Sequence, residues 1–171
     1  MDLEFKVKKG LENISFKQFR PILQGFVKHV KDMFGDDLVS IVVFGSVGRG
    51  DCTENSDIDM IVVVRNLPKS FFKRINLFIP IIEKVRRNTH SRVLIQIYPL
   101  TVGEASKNRP LYLDMLTDAV ILYDKNHFME GVLRKLWRKL KSLGTRKVRL
   151  KNGSWLWILK PDIKLGEVVE I

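Results

Sequence analysis

The sequence predicts a single domain of mixed α/β (α+β) class, with helices flanking a mixed β-sheet and a C-terminal basic helix and β-hairpin. Three observations support this prediction. The chain has 171 residues, which suits one domain. Apolar runs of strand length alternate with segments whose apolar residues recur at helical spacing. The single cysteine, Cys52, excludes an intrachain disulfide framework, so an ordinary apolar core must stabilise the fold.

Four apolar segments are predicted to be strands. Residues 38–44 and 58–64 are rich in β-branched residues, which is typical of strands buried within a sheet. Residues 92–98 form the third strand, which we expect to end at Pro99. Residues 119–123 form the fourth.

Four segments are predicted to be longer helices. The first and last have apolar residues three and four positions apart, which indicates an amphipathic helix. Gly35 closes the first helix, and Pro80 is expected to interrupt or kink the second. The four segments are residues 16–34, 68–88, 110–117 and 129–143.

A β-hairpin is predicted near the C-terminal end. The dipeptide Asn-Gly at 152–153 is typical of a two-residue type I′ turn. Counting outward from this turn pairs Leu150 with Trp155 and Val148 with Trp157. Both tryptophans would then share a face with aliphatic side chains, and we expect that face to pack on the domain rather than to stack on bases.

Positive charge is concentrated in one part of the chain. The net charge is +11, and residues 61–171 hold 22 Lys and Arg against 9 Asp and Glu. No acidic residue occurs from Gly131 to Pro161. Such a one-sided basic field attracts phosphate groups, although a solvated helix face is the alternative interpretation. The candidate nucleic-acid contacts are Arg138, Lys139 and Lys141.

Residues 44–64 contain the most specific pattern. Asp57 and Asp59 stand two positions apart at the start of a predicted strand, so both side chains project from one face of it. Two carboxylates this close repel each other unless a cation lies between them. Oxygen-only ligands favour Mg²⁺ or Mn²⁺, and Mg²⁺ often binds carboxylates together with substrate phosphates. We therefore predict that Asp57 and Asp59 are metal ligands and catalytic residues.

The segment between the two strands has the composition of a phosphate-binding loop. Gly45, Gly48 and Gly50 allow backbone N–H groups to approach an anion, and a short helix is expected to begin near Ser46. Ser46 adds a hydroxyl donor and Arg49 a charged fork. Each element alone is more typical of a turn, but the combination after a buried strand indicates phosphoryl or nucleotidyl transfer. The predicted nucleotide-binding residues are Gly45, Ser46 and Arg49.

This pattern resembles the signature of the DNA polymerase β-like nucleotidyltransferases, and especially their minimal members in archaea and bacteria. That signature is an apolar residue, Gly-Ser, a spacer, and Asp-apolar-Asp. The strong resemblance covers residues 38–64, and a looser one extends to about residue 143. It leads us to expect a nucleotidyltransferase domain over residues 1–143, with residues 144–171 forming a hairpin and tail packed on it. The matching residues are Phe44, Gly45, Ser46, Asp57, Ile58 and Asp59.

The resemblance implies a site for Mg²⁺ and a nucleoside triphosphate at the Gly-Ser loop. It also implies a third carboxylate on the strand ending near Tyr98, where this chain has Gln96. In the family the third carboxylate helps to hold the metal that activates the acceptor hydroxyl. Without the third carboxylate, that metal should bind more weakly, and nucleotide transfer should be impaired more than nucleotide binding. The carboxylates that could replace it from a neighbouring element are Glu104, Asp114 and Asp118.

The predicted function is a Mg²⁺-dependent (or Mn²⁺-dependent) transfer of a nucleoside monophosphate from a nucleoside triphosphate to a hydroxyl on RNA or protein. One alternative is a non-catalytic nucleotide- or RNA-binding module of the same fold, which Gln96 favours and the Asp57/Asp59 pair opposes. The other, implied by the resemblance, is the antitoxin partner of a HEPN-domain toxin. The sequence shows neither a signal peptide nor a membrane span, so a cytoplasmic protein without a membrane partner is expected.

Overall fold

The computed structural model describes residues 3–151 and 153–171 of the chain. The strands and α-helices, in chain order, are β1 (Lys8–Lys9), α1 (Phe19–Phe34), β2 (Leu38–Phe44), α2 (Gly45–Arg49), β3 (Ile58–Val64), α3 (Phe71–Thr89), β4 (Ile95–Leu100), α4 (Val102–Ala105), α5 (Leu111–Asp118), β5 (Val120–Asp124), α6 (Phe128–Ser142), β6 (Arg146–Arg149) and β7 (Trp155–Ile158).

A five-stranded mixed sheet forms the centre of the molecule. Its strand order is β1-β5-β2-β3-β4. Strand β2 pairs antiparallel with β3 and β5, whereas β1 with β5 and β3 with β4 are parallel. Every residue of β2 is buried because this strand lies in the middle of the sheet. The predicted fold class, a mixed sheet flanked by helices, is confirmed.

Apolar side chains of the sheet pack on helices at both faces. Helices α1 and α3 cover one face, where they meet alternate strand residues such as Ile41 and Met60. Helices α5 and α6 cover the other, against Val42 and Ile61. Apolar residues of the N-terminal segment, residues 3–7, also pack against this second core. Across residues 3–151 and 153–171, no helix has the length and apolar character that crossing a membrane requires.

Two prolines lie within elements that continue past them. Helix α3 continues through Pro80, since the buried residues Phe78 and Ile81 on either side hold it against the core. Strand β4 continues through Pro99, which pairs with Val62 of β3. A proline is tolerated there because β4 is at the edge of the sheet, where one side of the strand needs no backbone donor.

The predicted hairpin forms between β6 and β7, but its predicted register is wrong by one residue. Lys147 pairs with Trp157 and Arg149 with Trp155. The Leu150 N–H donates to the Ser154 carbonyl at 2.8 Å, so three residues lie between them instead of two. Of the predicted turn residues, Asn152 lies outside the described part of the chain, whereas Gly153 has a φ of +85°.

Side chains of a strand alternate between its two faces. A register shift of one residue therefore changes which side chains of β6 lie on the same face as the tryptophans. Trp155 and Trp157 lie beside Lys147 and Arg149 rather than beside aliphatic residues. The Trp157 Nε1–H donates to Asp114 Oδ1 of α5 at 3.0 Å. Trp155 remains 48% exposed, so the predicted packing of both tryptophans on the domain is wrong for Trp155.

Candidate active site

The two predicted catalytic carboxylates lie where β3 begins, beside the end of β2. Asp57 directly precedes β3, and Asp59 pairs with Phe44, the last residue of β2. Ile58 and Met60 are fully buried in the core beneath α1 and α3. Asp57 and Asp59 therefore project toward the opposite face of the strand, and both are half-buried.

Burial and charge act together on this pair. Burial, followed by the negative charge of Asp57, raises the pKa of Asp59. A nearby cation would stabilise the ionised form of Asp59, and two carboxylates are a suitable ligand set for a hard divalent ion. Within residues 3–151 and 153–171, no three His, Cys, Asp or Glu side chains are grouped to hold a metal. Among the described residues, the site therefore presents a pair of carboxylates rather than a triad.

Gln96 occupies the place that the resemblance assigns to a third carboxylate. Strand β4 runs parallel to β3, with Gln96 opposite Asp59. The Gln96 Nε2–H donates a hydrogen bond of 3.0 Å to Asp57 Oδ2. The amide thus holds Asp57 in place but adds no negative charge to the site.

The three carboxylates considered as replacements are engaged elsewhere. Each forms an ion pair with a basic residue, and none is grouped with Asp57 and Asp59. In the described structure, none of the three residues that could have replaced the third carboxylate therefore joins Asp57 and Asp59. The ion pairs are Arg74–Glu104 at 2.6 Å, Lys147–Asp114 at 3.2 Å and Arg49–Asp118 at 2.9 Å.

Gly45 connects β2 to α2 immediately beside the carboxylate pair. Its φ is +68°, a left-handed conformation that residues with a Cβ rarely adopt. A Cβ at this position would lie 2.8 Å from Asp59 Oδ2. Space and conformation both require glycine, and the backbone of the Gly-Ser loop consequently approaches Asp59 closely.

Arg49, the predicted phosphate contact, is held by two carboxylates. Its Nη1 donates to Asp118 Oδ2 at 2.9 Å and its Nε to Asp51 Oδ2 at 3.0 Å. Asp118 is buried at the end of α5, where its backbone carbonyl lies against Gly48 of α2. Local spacing could not predict this role of Asp118, because 69 residues separate it from Arg49. Arg49 therefore anchors α2 to α5, and any phosphate must compete with these carboxylates.

The three predicted nucleic-acid contacts lie toward the end of α6. Arg138, Lys139 and Lys141 are all exposed. The Lys141 Nζ lies 5.1 Å from the Trp137 ring centroid, a cation–π distance. Of these three residues, Lys141 lines a cleft between α6 and the N-terminal segment.

The sequence matches a known protein family. The nucleotidyltransferase domain model matches residues 23–112, more than half of the chain, and includes β2, α2, β3 and β4. The chain belongs to the nucleotidyltransferase family. A candidate protein adenylyltransferase of Methanocaldococcus jannaschii is 36% identical to it over 121 residues, covering 70% of this chain and 82% of that protein. The predicted family and enzyme class are thus confirmed, and this protein is a nucleotidyltransferase.

Solved structures show a weaker similarity to this nucleotidyltransferase. A candidate nucleotidyltransferase of Sulfolobus solfataricus is 21% identical, covers 67% of this chain and 87% of its own, and has a TM-score of 0.44. One chain of a toxin–antitoxin structure with AMP-PNP is 17% identical to this chain. The match covers 70% of this chain and 90% of that one, with a TM-score of 0.46. The family assignment rests on the domain match and the archaeal relative.

Proposed function

We propose that this nucleotidyltransferase uses Mg²⁺ or Mn²⁺ to transfer a nucleoside monophosphate from a nucleoside triphosphate to a hydroxyl on RNA or protein. The hydroxyl oxygen forms a bond to the α-phosphorus, and the bond from that phosphorus to the bridging oxygen breaks. Pyrophosphate leaves, and the hydroxyl proton passes to solvent. The observation that carries the proposal is the close approach of the Gly45 backbone to Asp59.

ATP is the proposed donor. The support is the 36% identical relative, which is named a candidate protein adenylyltransferase. The same name supports a hydroxyl-bearing protein side chain as acceptor, and the basic C-terminal part of the chain supports RNA. A HEPN-domain protein is the specific protein acceptor that the resemblance in sequence implies.

Asp57 and Asp59 are the residues that would hold the cation. When bound, the cation would offset negative charge on the triphosphate oxygens. Gln96 orients Asp57 through its 3.0 Å hydrogen bond, which restricts the side-chain freedom of that ligand. The raised pKa of Asp59 supports this role. Burial and the charge of Asp57 both disfavour the ionised form of Asp59, and a bound cation would stabilise that form.

The Gly-Ser loop would hold the phosphates. Gly45 allows the backbone of the loop to lie close to Asp59, where a Cβ would not fit, and the Ser46 hydroxyl can donate to a phosphate oxygen. Arg49 acts here mainly by fixing α2 against Asp118, so the loop keeps its position beside the carboxylates.

The proposal is tested by incubating the purified protein with each α-labelled nucleoside triphosphate and Mg²⁺. The acceptors supplied are total RNA, a protein extract or a purified HEPN-domain protein, and products are resolved on gels. We expect label from ATP to appear on a macromolecule. Asp59→Asn should reduce labelling and Mg²⁺-dependent ATP binding by about tenfold or more.

The matched control is Asp32→Asn, which removes the same charge from an exposed position on α1. It should label and bind like the parent. Undiminished labelling by Asp59→Asn would overturn the assigned role of the pair. ATP binding without transfer to any acceptor would instead support the non-catalytic alternative.

A further inference from the structure

A basic groove adjoins the end of α2. One cavity, of about 160 Å³, is lined by Arg49, Lys147 and Trp155 among others. A second, of about 790 Å³, lies between the N-terminal segment and the end of α6, where Lys141 lines it. Leu3, Glu4 and Lys6 line both cavities, so the two adjoin along this segment. We refer to both cavities together as the N-terminal groove.

Positive charge dominates the lining of this groove. Two acidic residues also line it, and both are already paired: Glu4 with Lys6 at 2.8 Å, and Asp118 with Arg49 at 2.9 Å. The other cations of the lining can attract phosphate groups without competition from these two acids. One of them, Lys147, also forms an ion pair with Asp114, which is not a lining residue. The cations of the lining are Lys6, Arg49, Lys141, Arg146 and Lys147.

Aromatic rings stand among these cations. Trp155 is 48% exposed, and the Lys147 Nζ lies 5.3 Å from its ring centroid. In the second cavity, the Lys141 Nζ lies 5.1 Å from the Trp137 ring. Single-stranded nucleic acid presents unpaired bases for stacking and phosphates for pairing, and proteins bind it with this combination of rings and cations. A purely acidic peptide would use the cations but would have no base to stack on Trp155.

We propose that the N-terminal groove binds single-stranded RNA and that this RNA is the acceptor of the transferred nucleoside monophosphate. The second part rests on the proposed function. The groove reaches Arg49 at the end of α2, and about one helical turn separates Arg49 from Gly45 and Ser46 at the start of the same helix, so an RNA end that extends past Arg49 would approach the Gly-Ser loop. There the terminal ribose hydroxyl oxygen would bond to the α-phosphorus as pyrophosphate leaves and the proton passes to solvent.

The electrostatic part is tested by fluorescence anisotropy with labelled oligouridylate at several salt concentrations, without nucleotide. Affinity should fall with salt by a log–log slope of about 0.7 for each phosphate contacted. The double variant Lys141→Gln, Arg146→Gln should bind more weakly and with a smaller slope. Its matched control is Lys84→Gln, Arg87→Gln on the exposed side of α3, which should bind like the parent.

The stacking part is tested with Trp155→Ala, which should weaken binding by about fivefold or more. Trp155→Phe keeps an aromatic ring and should retain most of the affinity, which separates stacking from damage to the hairpin. Phe72→Ala removes an aromatic residue that is 80% exposed on α3 and should have no effect. A duplex RNA of the same length should bind more weakly because its bases are already stacked.

The outcomes test RNA binding by the groove separately from the role of RNA as the acceptor. Salt-independent binding, equal effects of the groove and α3 variants, or equal affinity for duplex would overturn the groove assignment, even if ATP-dependent transfer to protein occurs. Tight, groove-dependent RNA binding with label transferred only to protein would overturn RNA as acceptor. Transfer to oligouridylate that the groove variants reduce supports both parts, and single-stranded DNA in parallel shows whether the ribose 2′-hydroxyl contributes.

Discussion

Gln96 Nε2 donates a hydrogen bond to Asp57 Oδ2 across 3.0 Å, which joins the edge strand β4 to the residue preceding β3. An amide donor thus stands where a third negative charge would repel Asp57. The bond stabilises the free site, because Asp57 and Asp59 already repel each other. The Gln96 amide also leaves Asp57 and Asp59 as the two negative charges of the pair.

Gln96→Glu should convert this attraction into repulsion without changing the side-chain size. We expect the metal-free protein to lose on the order of 1–3 kcal/mol of unfolding free energy. Added Mg²⁺ should restore more stability than in the parent and raise the transfer rate more than triphosphate affinity. Thermal unfolding in EDTA and in Mg²⁺ measures the first two effects. Gln24→Glu on the exposed side of α1 is the control, and equal Mg²⁺ stabilisation of both variants would argue against a cation at Asp57 and Asp59.

Gly45→Ala should damage the phosphate-binding loop. The new Cβ would lie 2.8 Å from Asp59 Oδ2 in a backbone conformation with φ of +68°. We expect ATP affinity measured by calorimetry to fall at least about tenfold, with some loss of stability. Gly131→Ala on α6 is the matched control, because a Cβ there meets nothing within 4 Å. It should raise helix stability by up to about 1 kcal/mol and leave ATP binding intact. Normal ATP binding by Gly45→Ala would refute the assignment of this loop.

The Arg74–Glu104 pair should make stability depend on acidity. Hydrogen bonds from Arg74 and from the Thr101 N–H lower the pKa of Glu104 to about 2, against an ordinary value of 4.5. Because the folded-state pKa is lowered, the contribution is complete above about pH 4.5 and is lost as the pH falls toward 2.

Glu104→Gln should therefore cost roughly 1–3 kcal/mol at neutral pH, since it leaves the buried Arg74 guanidinium without its charged partner; this is less than for a fully buried pair, because solvent screens the Glu104 side chain, which is 37% exposed. The difference from the parent should shrink between pH 4.5 and 2, as urea unfolding at several pH values would show. Glu83→Gln, at an exposed position on α3, should keep the parent's profile. A constant difference across this range would mean that the ion pair contributes no pH dependence.

Arg49→Gln distinguishes an anchoring role from a phosphate contact. Asp118 is only 4% exposed, so loss of the Arg49 guanidinium leaves a buried carboxylate without its cationic partner, with the Thr117 hydroxyl still donating to it, and should cost roughly 1–3 kcal/mol. Adding Asp118→Asn removes the stranded charge and should recover part of that loss in urea unfolding. If Arg49→Gln unfolds like the parent yet loses ATP affinity, Arg49 serves the phosphate and not the anchor.

Local patterns predicted most of the elements. The apolar, β-branched run at 38–44 is typical of a strand buried in a sheet. Apolar residues at helical spacing predicted α1 and α6. The prediction failed where neighbours outweigh a local preference. Pro99 does not end the third predicted strand, because β4 is at the edge of the sheet and accommodates a proline. The predicted hairpin register was wrong because the length of the loop, not the Asn-Gly dipeptide, sets which residues pair.

The sequence by itself determined the family and the presence of the Gly-Ser and Asp-Ile-Asp motifs, because these residues lie within one short β2-α2-β3 unit whose geometry is local. Only the tertiary structure decided what surrounds them. Gln96 lies 39 residues from Asp57, and Asp118 lies 69 residues from Arg49. The groove joins residues 3–6 to side chains of α6 and the hairpin. Such contacts depend on strand order and on how helices pack across the sheet, and neither is encoded in the periodicity of a single segment.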